Sequence, residues 1–141
     1  MIHVEHREMY RPNGLIDDFV VYSSPSGYIA LASRIRSAVE TGRPEVVRTS
    51  SEICIEIQVE PELVELRTSL QNQAKLYATK DAWAQRDILR LSGGEKVLEA
   101  LCAFLVGLST RGEGYSYISE YSKEFAYAAN SPQWRLHVQA R

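Results

Sequence analysis

The sequence has only two cysteines, three histidines and a formal net charge of -2, and each of these scarcities removes a class of function. Cys54 and Cys102 form no CxxC pair and lie in apolar surroundings, so they read as buried free thiols of a reducing compartment rather than a disulfide, redox or zinc pair. His3 and His6 bracket Glu5 in "HVEH", but a metal site needs a third ligand on a rigid element, and the spacing is not HExxH. Solvated histidines are the expectation there, and the expected metal and cofactor complement is none. The near-neutral charge argues against general affinity for nucleic acid or an anionic membrane. The longest largely apolar stretch, Leu98 to Leu108, interrupted only by Glu99, is about half of the roughly 20 residues that span a bilayer. The N-terminal "MIHVEHREMYRPNG" lacks an apolar stretch followed by small residues, so no signal peptide is expected and the cytoplasm is the default location.

What is present is an ordinary globular composition, 45% hydrophobic over 141 residues, enough for one domain across 1–141 with one core. Ile2 and Val4 suit a short first strand or a loose arm, and Arg11 to Gly14 a turn. Asp18 to Tyr22 is a β-type run. Ser24 then caps a helix that begins with Pro25 and runs from about 26 to 41, with Tyr28, Leu31, Ile35 and Val39 at helical spacing and Gly42 as the stop. From Ser51 to Glu60, Ile53, Ile55, Ile57 and Val59 alternate with Glu52, Cys54, Glu56, Gln58 and Glu60. That pattern marks a strand with one apolar and one largely acidic face. Residues 62–77 fit a helix through Leu63, Leu66, Leu70 and Tyr77, or a strand through the alternation around Leu63 to Arg67; the helix is the expectation. Asp87 to Leu91 reads as a strand, as do Tyr115 to Tyr121 and Gln133 to Gln139.

Between the last three lies "LSGGEKVLEALCAFLVGLS". Its Leu91-Ser92-Gly93-Gly94-Glu95 resembles the signature loop of ABC-type ATPases. Such a loop works only opposite GxxxxGK[ST], which is absent. Ser92 and Glu95 have the spacing of a capping box, so the segment is read as the start of a helix that is apolar over most of its girth.

The expected fold is α+β: a mostly antiparallel sheet with two or three helices packed on one face. Two β-α-β(-β) half-repeats, about 15–60 and 85–141, align at an offset of about 66, which places Leu31 on Val97, Ile35 on Leu101 and Val39 on Leu105. Duplication and the chance alignment of two amphipathic helices both fit.

Two groups of residues suggest a binding surface. Glu52, Glu56 and Glu60 share one strand face with alternate residues about 7 Å apart and no intervening Lys or Arg. A solvated face, a docking surface for a basic partner and a carboxylate site all fit them. Tyr115, Tyr117, Tyr121 and Tyr127 crowd a short stretch with Ser116, Ser119, Glu120 and Ser122, a mixture favoured where one protein binds another. Alternation puts Tyr115, Tyr117 and Tyr121 on one face, either core or outside; if Ile118 is buried, they are outside. His137 is a candidate base, but no serine or cysteine nucleophile is placed beside it, and no nucleophile–base–orienter set can be assembled.

Across 86–141, "DILRLSGGEKVLEALCAFLVGLS", the glycine turn, "GYSYISEY" and the closing "NSPQWRLHV" resemble the small immunity proteins of bacterial polymorphic-toxin and contact-dependent inhibition systems. In that pattern a strand leads into a Ser/Gly helix start, an apolar helix and an antiparallel hairpin. Histidines often stand where this chain has Tyr115 and Tyr117. The resemblance implies a cytoplasmic, non-catalytic protein that binds one cognate toxin domain, with no nucleic-acid or membrane partner. Acids Glu52, Glu56 and Glu60 would lead the contact, and Tyr115, Tyr117 and Glu120 would follow. The rival readings are a ligand-sensing or oligomerising α+β module and a small enzyme using His137.

Overall fold

The computed structural model describes residues 2–11, 14–71 and 87–139, with side chains for all of these except 8–11 and 14–17. The chain is α+β, and its element order is β1 His3–Arg11, β2 Gly14–Ser23, α1 Pro25–Thr41, β3 Glu45–Val47, β4 Ile53–Val59, β5 Arg67–Gln71, β6 Asp87–Gly93, α2 Glu95–Thr110, β7 Gly114–Tyr117 and β8 Gln133–Val138. The same β-β-α-β-β order thus occurs twice.

The strands form two four-stranded sheets, β1-β2-β8-β7 (sheet A) and β3-β4-β6-β5 (sheet B). Exchanging the halves turns one order into the other. Each sheet takes an antiparallel pair from each half, joined through a central parallel pair: β2 with β8 in sheet A, β4 with β6 in sheet B. Both parallel pairs end at equivalent places, Ser23 opposite Val138 and Gly93 opposite Val59.

Local signals explain the first helix. Ser24 Oγ accepts from Gly27 N at 3.4 Å, Pro25 occupies the first turn, and Gly42 closes the helix at φ 70° with its N–H on Ala38 O. Its buried stripe is Tyr28, Leu31, Ala32, Ile35 and Ala38. The start of α2 differs from the expected capping box. β6 runs on through Ser92, which pairs with Gln58 and Arg67, and Gly94 is the cap with no side-chain bond. Gly94 N–H donates to Leu63 O at 2.9 Å, and a Cβ there would stand 2.8 Å from that oxygen. The glycine is required by this close approach.

The helix caps, Ser24 and Gly94, are 70 residues apart, so the repeat offset is one helical turn longer than the 66 read from periodicity. At 70, Tyr28, Leu31, Ala32, Ile35 and Ala38 fall on Leu98, Leu101, Cys102, Leu105 and Leu108, all buried. One hydrophobic cluster draws on both helices and both sheets, including Phe19, Val21, Trp134 and Leu136 from sheet A and Ile55, Ile57, Leu89 and Leu91 from sheet B.

The expected helix over 62–77 is replaced in its middle by β5. Leu66 and Thr68 are buried and Arg67 and Ser69 exposed, a two-residue period satisfied by hydrogen bonding along the edge of β6. Residues 72–77 of that expectation lie outside the described residues. The second half also departs from the first between β7 and β8, where a short 3₁₀ turn, Ile118–Glu120, and the loop after it cross to sheet B. Leu66 N–H donates to Ala126 O, Ala128 N–H donates to Leu66 O, and Thr68 Oγ1 lies 2.6 Å from the Tyr127 hydroxyl. No described helix is long and apolar enough to cross a membrane.

Candidate functional site

Strands of sheet A turn Val4, Phe19, Val21, Trp134, Leu136 and Val138 inward, so the residues that alternate with them take the opposite face. The register lines up His3, Tyr22, His137 and Tyr115 in one row across all four strands. Tyr22 and His137 stack at 5.0 Å between centroids, His137 and Tyr115 lie at 5.2 Å, and His3 and Tyr22 at 6.2 Å. Tyr117 meets Tyr115 edge-on at 5.8 Å. Tyr115 and Tyr117 are 55% and 38% exposed, a large aromatic area for a surface strand of four residues.

Tyr121 does not join them. The 3₁₀ turn interrupts the alternation after Tyr117 and carries Ile118 and Tyr121 into the core, where the Tyr121 hydroxyl donates to Ala126 O and burial pushes it up to about 12. Glu120 supports the turn, its carboxylate accepting from Tyr117 N–H at 3.0 Å. The surface set is therefore Tyr115 and Tyr117, with Tyr22, His3 and His137 added by strands distant in sequence.

Around the rings lie Arg7, Glu5, Asp18 and Arg135. Glu5 is held by Arg7 at 3.3 Å and by His3 at 3.4 Å. Arg135 lies with its guanidinium 5.5 Å from the Tyr115 centroid. Partial burial holds the His137 imidazole below its ordinary value, and the charges of Arg135 and Arg7 act in the same direction. The His137 main chain is fixed from the core side by Tyr28, whose hydroxyl donates to His137 O at 2.5 Å.

No family model, curated protein or solved structure matches this chain. The repeat nevertheless supplies a comparison within the molecule. The row in sheet B equivalent to His3–Tyr22–His137 is Arg67–Ser92–Gln58. The fold forms that row without a single ring, so the aromatics of sheet A are not a requirement of the architecture.

The acidic residues are arranged differently from the sequence picture. Arg90 of the neighbouring strand donates through Nε to Glu56 at 2.5 Å and reaches Gln71 at 3.3 Å. Glu52 precedes β4 and is exposed; Glu60 follows it, half-buried, beside an open depression of about 440 Å³ lined by Val59, Glu60, Pro61, Glu62 and Leu63. The strand's own sequence has no cation, but its neighbour provides one. Tyr22, His3 and Arg135 were missed as site residues because their significance lies in the strand register. The available signal was parity: Tyr22 has the outward phase of Val20, opposite to Phe19 and Val21.

Proposed function

We propose that this protein is a cytoplasmic immunity protein that neutralises a cognate bacterial toxin domain by binding it, with the aromatic face of sheet A as the docking surface. One observation carries the choice of surface: five rings lie on one of two topologically equivalent sheet faces, two of them well exposed, while the row on the other face has none. Rigid tyrosines flanked by arginine have the composition of binding hot spots, where large area is buried at little cost in side-chain entropy. The resemblance of 86–141 to immunity proteins supports the choice of partner. Tyr115 and Tyr117 lead, with Tyr22 and His137. Glu52, Glu56, Glu60 and Glu120 are secondary, since Glu56 is already paired with Arg90 and Glu120 braces a turn.

The test is to mix the purified protein with the toxin domain encoded beside its gene, measuring complex formation by calorimetry and toxin activity in parallel. A complex that abolishes activity, and that weakens on Tyr22→Ala, Tyr115→Ala and Tyr117→Ala but not on Gln58→Ala, supports the proposal. No complex, or one insensitive to all three tyrosines, overturns the function or the face respectively. A response confined to a Glu52→Lys, Glu56→Lys, Glu60→Lys triple variant moves the surface to sheet B.

A further inference from the structure

Protein binding by the aromatic face leaves two of its atoms unexplained. Arg135 Nε and His137 Nε2 are shielded from solvent, and neither has a hydrogen-bond partner among the described residues. Orphaned polar atoms of this kind are rare in folded proteins, and each carries a desolvation cost. Here two occur together, on residues two apart on β8 and hence on the same side of the strand. One ring covers both: Tyr115 lies 5.5 Å from the Arg135 guanidinium and 5.2 Å from the His137 ring.

The other arginines of these strands with described side chains meet carboxylates: Arg7 with Glu5, Arg67 with Glu65, Arg90 with Glu56. Among the described residues, Arg135 has no carboxylate within salt-bridge distance; its guanidinium lies over the Tyr115 ring. The groups facing His137 are Arg135 on its own strand, Tyr22 and Asp18 on β2, Tyr115 on β7, and His3, Glu5 and Arg7 on β1. Glu5 is already engaged by His3 and Arg7. Among the described residues, no carboxylate, Asp18 and Glu5 included, comes within hydrogen-bond distance of Arg135 Nε or His137 Nε2.

We propose that Arg135 and His137 form the seat for a carboxylate of the bound protein, an Asp or Glu side chain that enters where Tyr115 now lies. Tyr115 is more than half exposed and sits on an edge strand, so its ring can swing aside and then flank the entering group. The carboxylate accepts from Arg135 and from the protonated imidazole, giving charge-assisted hydrogen bonds inside a surface that the partner dries. The two guanidiniums that disfavour imidazolium in the free protein are then offset by the incoming negative charge. Complex formation takes up a proton at His137, and affinity rises as the pH is lowered from about 8 to about 6. This inference rests on the reading of the face as a protein-binding surface.

The first experiment follows the His137 imidazole and the Arg135 Nε–H by NMR while the full chain is titrated with a hexaglutamate peptide. Hexalysine, inorganic phosphate and a thymidine hexanucleotide serve as parallel probes, and His137→Gln gives the assignment. Hexaglutamate is expected to raise the His137 titration midpoint and to move the Arg135 resonance, with the response largely lost in Arg135→Gln and partly retained in Arg135→Lys. No movement at saturating peptide, an equal response in Arg135→Gln, or an equal response to hexalysine overturns the seat. A stronger response to phosphate or the oligonucleotide also overturns it, assigning the corner to a phosphate. In the complex with the toxin domain, Arg135→Gln is expected to weaken binding about tenfold or more, with the pH dependence lost. If Arg135→Gln has no effect while Tyr115→Ala and Tyr117→Ala weaken binding, the carboxylate seat is wrong and the docking face stands. If none of the three matters, the face itself is wrong.

Discussion

Cys102 Sγ donates to the carbonyl oxygen of Ala32 at 3.4 Å, and these two residues hold the same position in the two halves of the fold. A contact between equivalent positions marks where the halves meet around their shared relation, and there the helices approach with a methyl group on one side and a thiol on the other. Both are buried, Ala32 at 3% and Cys102 at 1% exposure. Small side chains set the spacing, so enlargement is expected to cost more than truncation. Ala32→Leu should destabilise by about 2 kcal/mol through overpacking, and Cys102→Ala by about 1 kcal/mol or less. Urea unfolding measures both; an Ala32→Leu variant as stable as the parent contradicts this packing.

Two glycines around α2 should respond in opposite directions. Gly94→Ala places a Cβ 2.8 Å from Leu63 O, a backbone atom that cannot move without disturbing the segment before β5. A loss of about 2 kcal/mol is expected. Gly107 lies inside α2 with nothing within 4 Å of an added Cβ. Gly107→Ala should gain about 0.5–1 kcal/mol from helix propensity. Thermal melts of the two variants separate a required glycine from a tolerated one.

The Arg90–Glu56 pair bridges β6 and β4 with side chains 32% and 20% exposed. A half-shielded pair of this kind should show a coupling energy near 1 kcal/mol in a double-mutant cycle with Arg90→Gln and Glu56→Gln. Single variants should each lose stability and the double variant should recover part of it. A coupling near zero would return Glu56 to the pool of acids available to a partner.

If sheet A is the docking face of the proposed complex with a toxin domain, Tyr22→Ala, Tyr115→Ala and Tyr117→Ala should each weaken it by about 2 kcal/mol, or roughly thirtyfold. The exposed pair, Tyr115 and Tyr117, should alter the melting temperature little. A collapse of stability on Tyr117→Ala would instead mark the ring as a structural brace.

Stability should fall as the pH drops below the ordinary histidine range, because His137 titrates lower in the folded chain than in the unfolded one. The unfolded chain takes up its proton first, so the contribution is intact above about 6.5 and is lost as pH falls through the folded value. His137→Gln should flatten that part of the stability–pH curve. An unchanged slope would show that the loss comes from other groups.

Features encoded within a few residues were legible in the sequence, and features created by register were not. Ser24, Pro25 and Gly42 delimit α1 to within a residue of the expected range, and the Ile53–Val59 alternation gives β4 directly. β5 was misread because Leu63, Leu66 and Leu70 satisfy a helical period equally well, and the edge of β6 that decides the matter lies some twenty residues away. Ser92 offered a plausible cap, but its strand continues past it into a parallel pairing with the other half. The repeat was visible, yet its offset was short by one turn, since a four-residue slip keeps every apolar residue on nearly the same side of a helix. Tyr115 and Tyr117 could be singled out, and they face outward as alternation with a buried Ile118 requires; Tyr121 was placed with them wrongly, because it leaves their face through a 3₁₀ turn that no alternation rule foresees.

The exchange of strand pairs between sheets governs how the chain is made. β1 and β2 are made before the other strands, but β2 gains its parallel neighbour only when β8 emerges, more than a hundred residues later. An apolar sheet edge therefore waits through most of translation, and the final contacts are among the most distant in sequence. Production in the cell should accordingly depend on chaperone supply and on the pace of elongation through the codons from α2 to β8.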